Sequence, residues 1–497
     1  MKPTTIPIRT ASPVIRPAVA VPARTTEPPI WRWRHVLRAP HRVGFFAASV
    51  VMGWSALWWA LEMCWRQWGS APLMHAVPVT WVHAIVMALG FLPLFFVGFL
   101  FTAGPKWLQQ PDVPAQAVVK PVVACVVGWF ITVAGSYLHA GLMSVGLGAV
   151  ALAWGALTWR FGRIVQSSRV ADRLHAKVIA VACAIGVVVL MAAAACVMAG
   201  RPDALRPLAY LGLWWFVVPV YVTVAHRMIP FFTASALPVL DSWRPYWLLW
   251  TLLVVSIWQG AWVGLDTMGF ATGGWLVAAR IGVTALGSLG VLALAIRWGL
   301  VQSLKIRLLA MLHLGFVWLG LAWGLEAASL VMQWAGHGGL GLAPLHALSM
   351  GFLGSILLAM ATRVSCGHGG RTLAADNLAW ALYGVLQVAV VVRVLGAIWP
   401  GSGGWTLPIA ALLWLAAVGG WALRYGRWFG RPRVRPRHHR RQRQTRCGGL
   451  AQPLAAGRGH RHGSSRLGRF ECFSGLLGHA TCGAGKVIAI GGVEDGA

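Results

Sequence analysis

From about residue 43 the chain runs through one apolar stretch after another, each near twenty residues long. Short segments holding Arg, Lys, Pro and Gly separate them. An apolar run of that length, wound as an α-helix, crosses the hydrocarbon core of a bilayer and pairs its own backbone groups there. The pattern predicts twelve such helices, over 43–65, 78–101, 118–139, 141–159, 177–199, 208–230, 246–265, 275–297, 308–334, 343–363, 378–399 and 405–425. The expected fold class is all-α, a polytopic membrane protein with twelve transmembrane helices in one bundle.

Lysine and arginine accumulate in cytoplasmic loops, so the connections carry an orientation. With the N-terminus inside, the even-numbered connections hold fourteen basic residues, from Lys106 to Arg371. The odd-numbered ones hold three, Arg66, Arg201 and Arg206. Both termini are therefore expected in the cytoplasm.

Composition sharpens the class. Hydrophobic residues make up 58% of the 497 residues and charged ones only 11%, with a mean hydropathy of +0.67. Soluble domains carry about a quarter charged residues, which excludes that class. The 30 tryptophans suit interfacial belts and helix packing. A formal charge of +30 raises the question of nucleic acid, but residues 1–42 hold eight basic residues against one acidic, and 431–497 hold thirteen against three. Much of the rest follows the loop pattern, so a lipid bilayer is the expected partner and nucleic acid is not.

Three regions follow. Residues 1–42 read as a disordered basic arm without a signal-peptide apolar stretch, and 43–430 as the transmembrane domain. Residues 431–497 open with RPRVRPRHHRRQRQTRCGG and lose all periodicity. Two readings of that tail stand side by side. It is a basic segment drawn to anionic lipid, or the product of a GC-rich gene read in a shifted frame from near Val434.

The candidate chemistry lies in histidines inside the apolar runs. HAIVM (83–87) and HALSM (346–350) each place a Met four residues after a His, on the same helical face. In the expected topology His83, His346, Met87 and Met350 lie toward the outer face, with His139 at the same level. His226, His313 and His368 lie toward the cytoplasm. Intramembrane ionisable residues are functional candidates, and neutral imidazole ligates both haem iron and copper. A b-type haem with two axial ligands is satisfied by His83 and His346 if the second and tenth helices face each other, and methionine is an alternative ligand. Ala84, Ala347, Gly351 and Gly354 are expected to make room for a flat macrocycle.

At the inner mouth, TRVSCGHGGR (362–371) brings Arg363, His368 and Arg371 together, a set suited to an anionic group such as a haem propionate. The competing reading is a basic loop with a glycine stop. Glu326 and Arg280 are buried charges that either pair structurally or mark a proton or substrate path. The seventh run has no histidine, which argues against a haem-copper oxidase type of dioxygen site.

The stretches HAIVMALGFLPLFFVGFLFTAGPKW (83–107), RMIPFFT (227–233), LHLGFVWLGL (312–321) and HALSMGFLGSILLAMATRVSCGHGGR (346–371) resemble the NnrS family, over roughly residues 40–430. The resemblance implies a haem- and copper-containing protein of the bacterial inner membrane, associated with nitric oxide and denitrification. The family's functional positions fall on His83, His313, His346 and His368, beside Arg227 and Arg363. Many members read His-Ala-His-Glu-Met where this chain has His83, Ala84, Ile85, Val86 and Met87, so one candidate ligand and a carboxylate are absent here.

The function expected is that of a haem b protein of the nitric oxide response, protecting against nitrosative stress or supporting denitrification. Nitric oxide is the expected small-molecule partner, alongside an electron donor. His226, His313 and His368 are expected to form a second haem or copper site. The alternatives are a membrane redox enzyme acting on nitric oxide or a nitrosylated metal complex, and a carrier of a small solute or metal.

Overall fold

A computed structural model describes residues 30–71, 73–270 and 273–434. The expected basic arm lies outside the described residues up to residue 29, and the expected tail lies outside them from residue 435. The chain crosses the bilayer thickness twelve times, as α1 (Pro40–Trp68), α2 (Val79–Trp107), α3 (Gln116–Leu138), α4 (Ala140–Ser167), α5 (Leu174–Met198), α6 (Pro202–Ala236), α7 (Tyr246–Asp266), α8 (Trp275–Arg297), α9 (Arg307–Trp334), α10 (Ala343–Gly369), α11 (Asn377–Ile398) and α12 (Gly404–Phe429). No strand occurs among the described residues. Several helices outrun their apolar stretches. In α4 the winding continues through Arg160 and Arg163 to Ser167, because a helix does not end where its surface turns polar.

Consecutive helices pack as antiparallel neighbours through α3, α4 and α5, and again through α8 with α9 and α11 with α12. The bundle closes where α1 lies against α12. Burial picks out the centre: between 72% and 78% of the most apolar stretch is buried in α2, α6 and α10, against 33% in α8 and α11. Those three central helices carry His83, His226 and His346. An even number of crossings returns the chain to the face it left. There the Arg32 N–H donates to the Gly430 carbonyl at 2.8 Å. We call this the terminal face.

Two devices hold α1 in place. At Gly44 the helix passes so close to α2 that an added Cβ would stand 2.4 Å from the Gly98 nitrogen. In membranes, where lipid is as apolar as leucine, such small-residue contacts supply the packing. At the terminal face the buried Arg42 guanidinium donates to the carbonyls of His35, Phe429 and Arg431 at 3.2, 3.0 and 2.7 Å. A second polar clamp joins α7, α8 and α9. Arg280 reaches Asp266 at 2.8 Å and Glu326 at 3.1 Å, so the buried charges noted in the sequence are paired.

The central helices are irregular where they matter. α2 breaks at Gly90 and Phe91, since Pro93 has no N–H for the Leu89 carbonyl. α6 widens into a π-helical turn over Leu213–Val217, just ahead of Pro219. α10 does the same over Ala347–Gly354, directly after His346. Such widened turns recur at functional sites.

Candidate functional site

The irregular segments surround a chamber of about 770 Å³ in the half of the bundle away from the terminal face. It lies in the size range of cofactor and ligand sites. Its walls come from the end of α1, the first half of α2, the starts of α6, α10 and α12, and the end of α11. His83, Met87, His346 and Met350 all line it. The second and tenth helices thus face each other across a space rather than packing directly, and both His-x-x-x-Met pairs open into it.

The two imidazoles are held differently. The His346 Nδ1–H donates to the Leu342 carbonyl at 2.9 Å, which leaves Nε2 of the neutral ring as a lone-pair donor. That bond to a backbone carbonyl is the support a metal-ligating histidine ordinarily has. His83 stacks on Trp59, with ring centroids 3.6 Å apart, and its Nδ1 is buried with no hydrogen-bond partner. Two opposed imidazoles, two thioethers and a roomy apolar wall are the donor set that a haem needs, and the residues present fit that group.

The small residues divide. Ala84 and Gly354 line the chamber as expected, whereas Ala347 is fully buried and a Cβ on Gly351 would stand 2.7 Å from the Trp318 ring. Gly351 therefore makes room for a tryptophan, not for a ligand. Ile85 and Val86, where the resemblance implies a His-Glu pair, are completely buried in the protein core. His139 stands apart as the N-cap of α4, its Nδ1 accepting the Gly141 N–H at 3.0 Å.

The remaining expected residues lie toward the terminal face and do not converge. His226 accepts at Nδ1 from the Nε2–H of His175 at 3.0 Å, because its own Nε2–H is given to the Pro245 carbonyl at 3.1 Å. His313 meets the Thr233 hydroxyl at 2.9 Å. His368 lies against His41, with centroids 4.3 Å apart, and its Nδ1–H donates to the Val364 carbonyl at 3.2 Å. No group of three or more His, Cys, Asp or Glu able to hold a metal ion occurs among the described residues. Arg363 lies over the Phe232 ring and Arg371 over the Trp428 ring, each at 3.9 Å, and neither lines the chamber.

Sequence reasoning missed the partners His41 and His175, which sit one residue inside the starts of α1 and α5. It reads Arg66 and Arg206 only as loop cations and Arg393 only as a buried charge near an outer helix end, and does not foresee their place on the chamber wall. The available signal was Arg393, a lone cation within an otherwise apolar run.

Fold and chamber together define a polytopic α-helical membrane protein with an intramembrane cavity walled by histidine and methionine. The family model described as NnrS protein matches residues 35–433, which takes in all twelve helices, and the chain belongs to the NnrS family. No curated protein matches it.

Proposed function

We propose that this protein binds haem b in the chamber between α2 and α10 and acts in the bacterial nitric oxide response, protecting against nitrosative stress or supporting denitrification. The observation that carries the reading is the convergence of His83 and His346, from helices far apart in the chain, on one apolar chamber. Haem bound there would supply an iron that takes up nitric oxide or passes an electron. His83 and His346 would hold it, with Met87 and Met350 one turn away as alternative ligands. The Leu342 carbonyl keeps the His346 ring in the tautomer with Nε2 free, and Trp59 keeps the His83 ring from turning. The apolar part of the wall would admit a neutral diatomic gas from the bilayer. The bacterial inner membrane, with the terminal face in the cytoplasm, is part of the same proposal and rests on the distribution of basic residues. Copper is left out of it, because the terminal-face donors stand in separate pairs.

The test is the optical spectrum of the detergent-purified protein, oxidised and dithionite-reduced, with a pyridine haemochrome count. His83→Ala and His346→Ala variants are run beside it. A b-type spectrum that both variants lose supports the reading. A folded protein that stays free of haem when haem is plentiful overturns it and favours the carrier. Turnover of nitric oxide with reductant would make the protein an enzyme, and spectral shifts without turnover a binder.

A further inference from the structure

Three arginines line the chamber, and among the described residues no carboxylate does. Arg66, at the end of α1, is neutralised from behind the wall: its Nε donates to the buried Glu62 at 3.2 Å. Arg206, at the start of α6, is exposed, so water can screen it. Arg393 is in neither position. It lies five residues before Ile398, the end of α11, and is half-buried inside a membrane-spanning helix. Among the described residues it makes no hydrogen bond, ion pair or ring contact. A guanidinium stays charged at any physiological pH, and a charge inside a membrane helix that faces a cavity normally has an opposite charge or a bound ligand to meet.

The chamber supplies none of that from its own walls. Beyond the arginines, its lining is thioether, imidazole, aromatic, aliphatic and neutral polar. Both candidate ligand imidazoles, His83 and His346, line the same chamber as Arg393. An occupant large enough to fill the chamber and touch both rings therefore comes close to an uncompensated guanidinium. We propose that Arg393 binds a carboxylate of the chamber's occupant, so that the site selects an amphipathic anion with a broad apolar body and an acidic edge. This rests on the haem reading, in which the acidic edge is the pair of propionates. Arg66 and Arg206 add positive potential at the rim, and Glu62 holds Arg66 there, with the Tyr137 hydroxyl donating to the other carboxylate oxygen at 3.1 Å.

The experiment compares ferric haem b with its dimethyl ester, in which both carboxylates are blocked, by Soret titration of the haem-depleted full-length protein. The wild type should bind the free acid at least about tenfold more tightly, because a charge-assisted bond to a desolvated guanidinium is lost in the ester. Arg393→Gln should bind both forms alike while keeping the bis-histidine spectrum, and Arg393→Lys should restore part of the preference. Equal binding of the two forms by the wild type overturns the anion site and leaves the haem reading standing. A full preference retained in a folded Arg393→Gln variant overturns the role of Arg393. If neither porphyrin gives a Soret shift, the haem reading fails and this inference falls with it. The wild-type comparison needs no variant, so it decides for or against the anion site even where Arg393→Gln does not fold. Arg393→Lys, which keeps the charge but loses the planar fork, then tests Arg393 by a weakened preference.

Discussion

The ring of His83 stacks on the ring of Trp59, centroids 3.6 Å apart and planes inclined by 23°, where α1 and α2 together face the chamber. An aromatic contact of this kind is worth about 0.5–1.5 kcal/mol beyond the area it buries. Trp59→Leu should therefore loosen the His83 ring without unfolding the bundle. On the haem reading, dissociation of haem, followed by transfer to an apoglobin acceptor, should quicken by roughly 2- to 10-fold. An unchanged rate would show that the stack does not hold the ligand ring.

Histidines at the terminal face should behave differently from those in the chamber. On the haem reading, His226→Ala, His313→Ala and His368→Ala should keep the b-type spectrum that His83→Ala and His346→Ala are expected to lose. The reason is that their rings meet His175, Thr233 and His41 rather than the chamber. Loss of the spectrum in His368→Ala, in protein that still runs as one species in detergent, would assign a haem to the other end.

Arg280 is buried between Asp266 and Glu326, on three different helices. Removing the cation leaves Glu326 and the more exposed Asp266 without their shared partner. Arg280→Met should cost about 1–2 kcal/mol of stability, less than a fully buried pair because water screens Asp266, seen as a lower thermal midpoint in detergent. Arg280→Met combined with Glu326→Gln should recover part of it. A double variant no better than the single one would mean that packing, not charge, is at stake.

The Gly44 contact is steric and should be unforgiving. Gly44→Ala places a Cβ 2.4 Å from the Gly98 backbone nitrogen, so α1 and α2 must move apart and folded yield should fall sharply. Gly148→Ala is the control, since nothing lies within 4 Å of the added methyl. There the helix should hold or gain slightly, as alanine is favoured over glycine by up to about 1 kcal/mol in a helix interior. Size-exclusion profiles of the two variants make the comparison.

Asp172, in the connection between α4 and α5, links stability to pH. Burial alone would raise its carboxyl, but the Tyr246 hydroxyl, His175 and Arg227 together hold it below the usual carboxylate range. A lowered folded-state value means the stabilisation is fully present at neutral pH and is lost as pH falls through that value. Asp172→Asn should lower the thermal midpoint slightly at neutral pH, and the difference from wild type should close as pH falls through the lowered folded-state value. The carboxylate is partly exposed, so the effect is expected to be small.

Much of this protein was legible in one dimension. A run of about twenty apolar residues has a single solution in a bilayer, so the twelve spans needed no knowledge of neighbours. The shared chamber of His83 and His346 was also legible, because two matched His-x-x-x-Met turns at the same depth are a local pattern. The pairing of His226 with His175, and of His368 with His41, was not. Each partner lies on a helix whose rotation about its own axis depends on packing, and no spacing along the chain encodes that.

The same limit explains the arginines. Arg363 and Arg371 stand in a dense polar motif and draw attention, yet they lie over Phe232 and Trp428, away from the chamber. Arg393 stands alone in an apolar helix and gains its meaning only when α11 is turned toward α2 and α10. The sequence by itself determined the helices, their number and the family, since hydrophobic length and short motifs are local quantities. Tertiary structure alone decided which charges and imidazoles share a space, because that depends on how twelve helices rotate and tilt to bury their small and polar faces together.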